Sequence, residues 1–234
     1  MKSPSKIHPC PIIDALFEIR FQPEIDGNAV FGILYNQFKN NYSDVEVLPI
    51  TNIPEQIRKS DSNFRYKPHY KISNKDYLIQ IGPEVFSIAA FPNYLGWDKF
   101  SNEISKSVEV LKGSGIITTI NRMGLRYINF FDNNIFEHLN MDVSICNSPI
   151  PYQNTVIRTE LTTEPFKSVL QIANSVEINS KVGSVIDIDT SINVLDSDFY
   201  SKQPSLTNQA HNIEKELFFK LLKSDFINTL NPEF

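Results

Sequence analysis

Residues 116–131 read Ile-Ile-Thr-Thr-Ile-Asn-Arg-Met-Gly-Leu-Arg-Tyr-Ile-Asn-Phe-Phe, a run dominated by β-branched and aromatic side chains. In a pleated strand alternate side chains point to opposite faces. Ile116, Ile120, Arg122, Gly124, Arg126, Ile128 and Phe130 then share one face, and Ile117, Asn121, Met123, Leu125, Tyr127, Asn129 and Phe131 the other. Both sets are mainly apolar, which predicts a central strand covered on both sides. Gly124 predicts a bulge or a close backbone approach. Arg122 and Arg126 admit two readings, pairing with carboxylates on adjacent strands or forming an anion-binding pair. The first is the more economical, because arginine is rarely buried without a partner.

Working outward, residues 12–21 alternate, with Ile13, Ala15, Phe17, Ile19 and Phe21 on one face and Asp14, Glu18 and Arg20, with Leu16, on the other. This period of two predicts a half-buried strand. Residues 29–38 carry Val30, Leu34 and Phe38 at four-residue spacing with Phe31 and Tyr35 alongside, an amphipathic helix. Residues 44–50 predict a strand and 51–62 a polar loop. Residues 63–74 alternate Phe64, Tyr66, Pro68, Tyr70 and Ile72 with Arg65, Lys67, His69 and Lys71, which predicts an edge strand with four basic groups on one face. Residues 77–81 and 85–90 flank Gly82-Pro83-Glu84 as a hairpin. Residues 97–112 predict a second helix ended by Gly113 and Gly115.

Beyond residue 132 the pattern predicts a helical turn at 133–139, a strand at 141–146 and closely spaced strands at 155–163, 166–173, 176–179 and 184–192. A polar loop follows at 196–204, and a last long helix at 205–230. The expected fold class is α+β: mainly antiparallel sheet, two helices in the first half and a long C-terminal helix packed on it. No flexible linker is evident. One compact domain spanning 1–234 is expected, with 1–131 and 132–234 as tightly packed subdomains.

Composition narrows the function classes. The 234 residues are 41% hydrophobic and 21% charged, with 17 Phe, which describes a globular chain with material for a sizeable core. The net charge of -5 argues against a wholesale nucleic-acid coat. Cys10 and Cys146 form neither a disulfide framework nor a metal set, in keeping with a reducing compartment. The opening residues lack the apolar run of a signal peptide and no stretch suits a membrane helix, so a cytoplasmic location without membrane contact is expected.

Three stretches carry a resemblance: Pro11-Ile12-Ile13-Asp14-Ala15-Leu16-Phe17-Glu18-Ile19-Arg20-Phe21, Asn121-Arg122-Met123-Gly124-Leu125-Arg126-Tyr127-Ile128-Asn129, and Ala210-His211 followed by Glu216-Leu217-Phe218-Phe219. Together they resemble a sporadically distributed family of bacterial and archaeal proteins with no assigned activity. Asp14 stands where that family more usually has glutamate. The patchy occurrence implies a horizontally exchanged accessory gene in mobile or genome-defence neighbourhoods.

No Gly-rich phosphate loop, His-Glu-x-x-His or Gly-x-Ser-x-Gly pattern occurs, so no cofactor and no catalytic residue is expected. Asp187 and Asp189 share a strand face and could ligate a divalent cation, although a D-x-D pair equally decorates an exposed strand. His211 and Glu214 share a helix face, more simply as surface decoration. Glu18, Arg20, Arg122, Arg126, Arg158 and Glu160 would form a charged ladder if their strands adjoin. Three functions follow as expectations. The first is a non-enzymatic adaptor for a protein partner, with homo-oligomerisation open. The second is a nucleic-acid binder using Arg65, Lys67, His69 and Lys71, with Arg122 and Arg126 as further anion ligands. The third is a metal-dependent hydrolase using Asp187 and Asp189.

Overall fold

The computed structural model describes residues 4–194 and 198–234. In chain order its elements are β1 (Ile12–Pro23), α1 (Gly27–Phe38), β2 (Asp44–Val47), α2 (Glu55–Ser60), β3 (Tyr70–Ser73), β4 (Tyr77–Ile81), β5 (Val85–Ala90), α3 (Trp97–Ser114) and β6 (Ile117–Phe131). There follow β7 (Ser144–Ile145), β8 (Ser148–Pro149), β9 (Val156–Thr163), β10 (Phe166–Ile178), β11 (Lys181–Asn193), α4 (Phe199–Leu221) and α5 (Ser224–Thr229). The fold is α+β, with nine strands in one antiparallel sheet ordered β2-β3-β4-β5-β1-β6-β11-β10-β9. The long stretch β6 is interior, as its composition predicts. The connectivity repeats: a leading strand, a meander whose last strand returns beside it, then a helix, first as β1 to α3 and again as β6 to α4.

The chain folds as two compact units. The first comprises residues 14–125 with 191–194 and 198–208. Its core takes Ala15, Phe17, Ile19 and Phe21 from β1, Val30, Leu34 and Phe38 from α1, and Phe100, Ile104, Val108 and Leu111 from α3. Phe38 stacks on Phe86 with ring centres 5.8 Å apart, and Tyr77 on Phe100 at 6.5 Å, which seats both helices on the same face of the strands. The second unit comprises residues 4–13, 126–190 and 209–234. Phe131, Ile172, Ile186 and Ile188 there pack against Phe218, Leu222 and Phe226.

Several local expectations need correction. From Met123 onward the side chains of β6 are buried on one face: Met123, Leu125, Tyr127, Asn129 and Phe131 are buried, whereas Arg126, Ile128 and Phe130 are half-exposed, as is Arg122; earlier in the strand Ile120 is buried. The expected irregularity is present just before Gly124: buried positions are even-numbered up to Ile120 and odd-numbered from Met123 on. The Glu24 N–H donates to the Ile116 carbonyl and the Phe130 N–H to the Pro11 carbonyl, so β6 carries one more residue than β1 between these pairs, as a bulge does. Only Tyr70–Ser73 of the predicted 63–74 strand is a strand. The Asp61 side chain accepts from the Asn63 N–H at 2.8 Å and starts a 3-10 turn, and Pro68 has no N–H to donate. The polar loop at 51–62 contains α2, the strand expected at 141–146 shrinks to β7, and the two strands expected at 166–173 and 176–179 are one, β10, which ends at Ile178.

The long C-terminal helix is present but starts at Phe199 and stops at Leu221, with α5 beyond. Residues 196 and 197 of the predicted loop lie outside the described residues. The break has a tertiary cause. Asn140 donates its side-chain amide to the carbonyls of Lys220 (3.0 Å) and Leu222 (2.9 Å), and its N–H to Leu221 (2.8 Å). These bonds satisfy helix-end carbonyls that would otherwise lack donors.

Candidate functional site

On the strand face of the first unit opposite its two long helices, register lines up one polar row: Glu46 on β2, Lys71 on β3, Gln80 on β4, Ser87 on β5, Glu18 on β1. Arg122 of β6 completes it by donating to Glu18 Oε1 at 2.9 Å, and the same oxygen accepts from Arg20 Nε at 2.8 Å. Lys71 is ion-paired with Glu46. A Cβ at Gly124 would lie 2.7 Å from Arg122 Nη1, so the glycine makes the room in which that guanidinium lies along the strand. Arg20 in turn stacks over the Tyr66 ring at 4.6 Å. Cation and carboxylate alternate along this face, so it holds little net field for an anion.

In the second unit Arg126 grips Asp187 through Nε (2.8 Å) and Nη2 (2.6 Å), a two-pronged, charge-assisted pair. Asp187 and Asp189 do share a strand face, as their spacing predicts, but the first is committed to an arginine. Among the described residues no three His, Cys, Asp or Glu side chains gather as a metal set. The six-residue charged ladder is divided. Glu18, Arg20 and Arg122 meet, Arg126 turns to Asp187, and Arg158 and Glu160 lie on β9, separated from β6 by β11 and β10. Glu160 pairs locally with Lys167 at 3.1 Å.

The four predicted basic groups do not share a face. Arg65 lies in the turn before β3 and donates to Glu84 at 2.7 Å, and Lys67 is exposed. His69 is buried and accepts from Arg58 at 2.8 Å. Burial first, then the Arg58 charge, pulls its pKa down to about 4, so it is a neutral acceptor.

His211 and Glu214 point inward. Tyr127 Oη lies 3.0 Å from His211 Nδ1, and burial with the neighbouring Lys215 charge lowers the His211 pKa to about 4. Glu214 is 1% exposed, and its Oε1 accepts the Thr190 N–H at 3.1 Å. Its Oε2 has no partner among the described residues. Burial, reinforced by Asp189 and Asp187, raises its pKa well above the carboxylate range, so the acid holds its proton. Thr190 and Ser168 share a hydroxyl bond of 2.7 Å beside it. Tyr127, Glu214, Thr190 and Ser168 are buried and His211 is half-buried, so their hydrogen bonds tie packing faces together. One cleft, of about 140 Å³ beside Trp97 and Asn208, is small for an organic ligand.

A different surface emerges at the β2 end of the first unit. Val47 pairs in register with Tyr70. The Tyr70 ring stacks on Phe31 at 3.8 Å, and Phe31 on Tyr35 at 5.5 Å. Val45 and Val47 are 46% and 59% exposed, and the three rings are half-exposed. The helical spacing of Phe31 and Tyr35, off the Val30–Leu34–Phe38 stripe, is visible in sequence. That the stack meets a terminal strand is not.

No protein-family model and no curated protein matches the chain. What the geometry defines is a class, an α+β protein with a nine-stranded antiparallel sheet. No described helix is long and apolar enough to cross a membrane.

Proposed function

We propose that this chain is a non-enzymatic binding or adaptor protein of the cytoplasm that docks a protein partner along β2. The observation carrying this reading is the aromatic and aliphatic strip formed by Phe31, Tyr35, Tyr70, Val45 and Val47 beside a terminal strand. Aromatic side chains are enriched at protein interfaces, and an open strand edge offers backbone donors and acceptors to an incoming segment. An extended partner segment would add to β2 and lay alternate apolar side chains on the rings. The nucleic-acid reading draws less support, because Arg65 and Lys71 are matched to carboxylates and His69 is buried.

Affinity capture from native host cells with wild-type and Val47→Lys protein tests the proposal. The wild type should retain a stoichiometric protein that the variant loses. Equal recovery by both, or none by the wild type, would overturn it. Salt-sensitive retention of a labelled oligonucleotide that is lost in Lys67→Glu/Lys71→Glu would favour the nucleic-acid reading instead.

A further inference from the structure

The other end of the sheet is β9, whose side chains are exposed on both faces apart from half-buried Ile157. Such an edge invites another strand unless proline, lysine or a covering element blocks it. Within 156–163 there is neither proline nor lysine.

The backbone direction is defined. The Asn174 N–H donates to the Thr155 carbonyl at 3.0 Å, and the β9–β10 register continues to that pair. Odd-numbered residues of β9 therefore turn their backbone groups to β10. Those of Val156, Arg158, Glu160 and Thr162 point away from the sheet. These four also share one side-chain face, while Ile157, Thr159 and Leu161 take the other.

We propose that two copies of this chain pair antiparallel along β9, about a two-fold axis at Thr159. In that register Arg158 lies opposite the partner's Glu160, and Glu160 opposite the partner's Arg158. Each pair exchanges two backbone hydrogen bonds through the outward-pointing groups. On the other face Ile157 meets the partner's Leu161, and Leu161, now 38% exposed, meets the partner's Ile157. Thr159 faces the partner's Thr159 at the closely spaced, non-hydrogen-bonded position. The register is selected by charge. A slip of two residues sets glutamate against glutamate or arginine against arginine, and like charges directly opposite are unfavourable. A slip of one turns the aliphatic face over. Arg158 has no carboxylate partner among the described residues, and Glu160 has only the exposed Lys167. The strand is thus complementary to itself about its midpoint. This interface goes beyond the β2 proposal and uses none of its residues.

Sedimentation over a concentration series, from low micromolar upward, tests it. The wild type should associate reversibly, with a dissociation constant on the order of micromolar for so small an interface. Glu160→Arg and Arg158→Glu should each weaken association by about tenfold or more, because each sets like charges opposite at two symmetric positions. The combined Arg158→Glu/Glu160→Arg swap should restore it, and Val47→Lys should leave it unchanged. A wild type that stays monomeric, single reversals that associate as the wild type does, or a swap that fails to rescue would each refute the pairing. If a reversal does not fold, hydrogen exchange on the wild type decides. The amides of Val156, Arg158, Glu160 and Thr162 should gain protection as concentration rises, and exchange independent of concentration refutes the pairing.

Discussion

Glu214 illustrates how much one residue depends on its surroundings. In sequence it is a polar helix position near a histidine, yet it is enclosed, with one oxygen on the Thr190 N–H. The folded protein holds a proton on this acid that the unfolded chain releases near the ordinary carboxylate pKa of 4.5. Stability from this group is therefore present at low pH and falls as pH rises from that value toward the raised folded one. Glu214→Gln, close in shape and without the proton, should raise the melting temperature at about pH 8, and the gain should shrink toward about pH 5. Thermal unfolding at the two pH values checks this. His69 and His211 act with the opposite sign. Both stay neutral when folded down to about 4, whereas the unfolded chain protonates below 6.5. Their contribution is lost as pH falls through that window, and His211→Gln should flatten the decline in urea midpoint between those values. Arg126 and Asp187 make a tighter test of pairing. Arg126→Ala leaves a carboxylate of low exposure uncompensated and should cost about 1–3 kcal/mol, discounted for the partly exposed guanidinium. Asp187→Ala added to it should cost less than the sum of the single changes.

At the scale of elements, close approaches set the limits. A Cβ at Gly183 on β11 would lie 2.2 Å from the Phe131 carbonyl oxygen and 2.7 Å from the Phe130 ring. Backbone cannot yield that distance locally, so Gly183→Ala should destabilise by about 2–4 kcal/mol, measured by urea unfolding. Asn140→Ala removes two side-chain donors from the end of α4 and should cost about 1–2 kcal/mol. Strand β1 and helices α1 and α3 were legible from a strong period of two or of 3.6, β4 and β5 from the turn between them, and β6 from its run of β-branched and aromatic residues. The 63–74 stretch also alternates, yet most of it is turn. A period of two states only that side chains alternate, whereas a strand needs a neighbour for its backbone. Here pairing begins at His69, whose N–H donates to Ile81 and whose carbonyl accepts from Leu48.

For the molecule as a whole, both proposed interfaces fall on the terminal strands of the sheet, β2 and β9. They differ in kind. β2 is four residues long and adjoins an aromatic stack, whereas β9 is eight residues long and self-complementary in charge. The sequence alone determined the α+β class, the interior position of β6, the two long early helices and a long terminal one. Those follow from composition and from periods within a few residues. Only the tertiary structure decided which face of β6 stays open, that Arg126 holds Asp187 sixty-one positions away, that Asn140 ends α4 and that Glu214 lies enclosed. The reason is physical: burial and charge pairing are set by what lies opposite in space, and a neighbour distant along the chain leaves no mark on the local pattern.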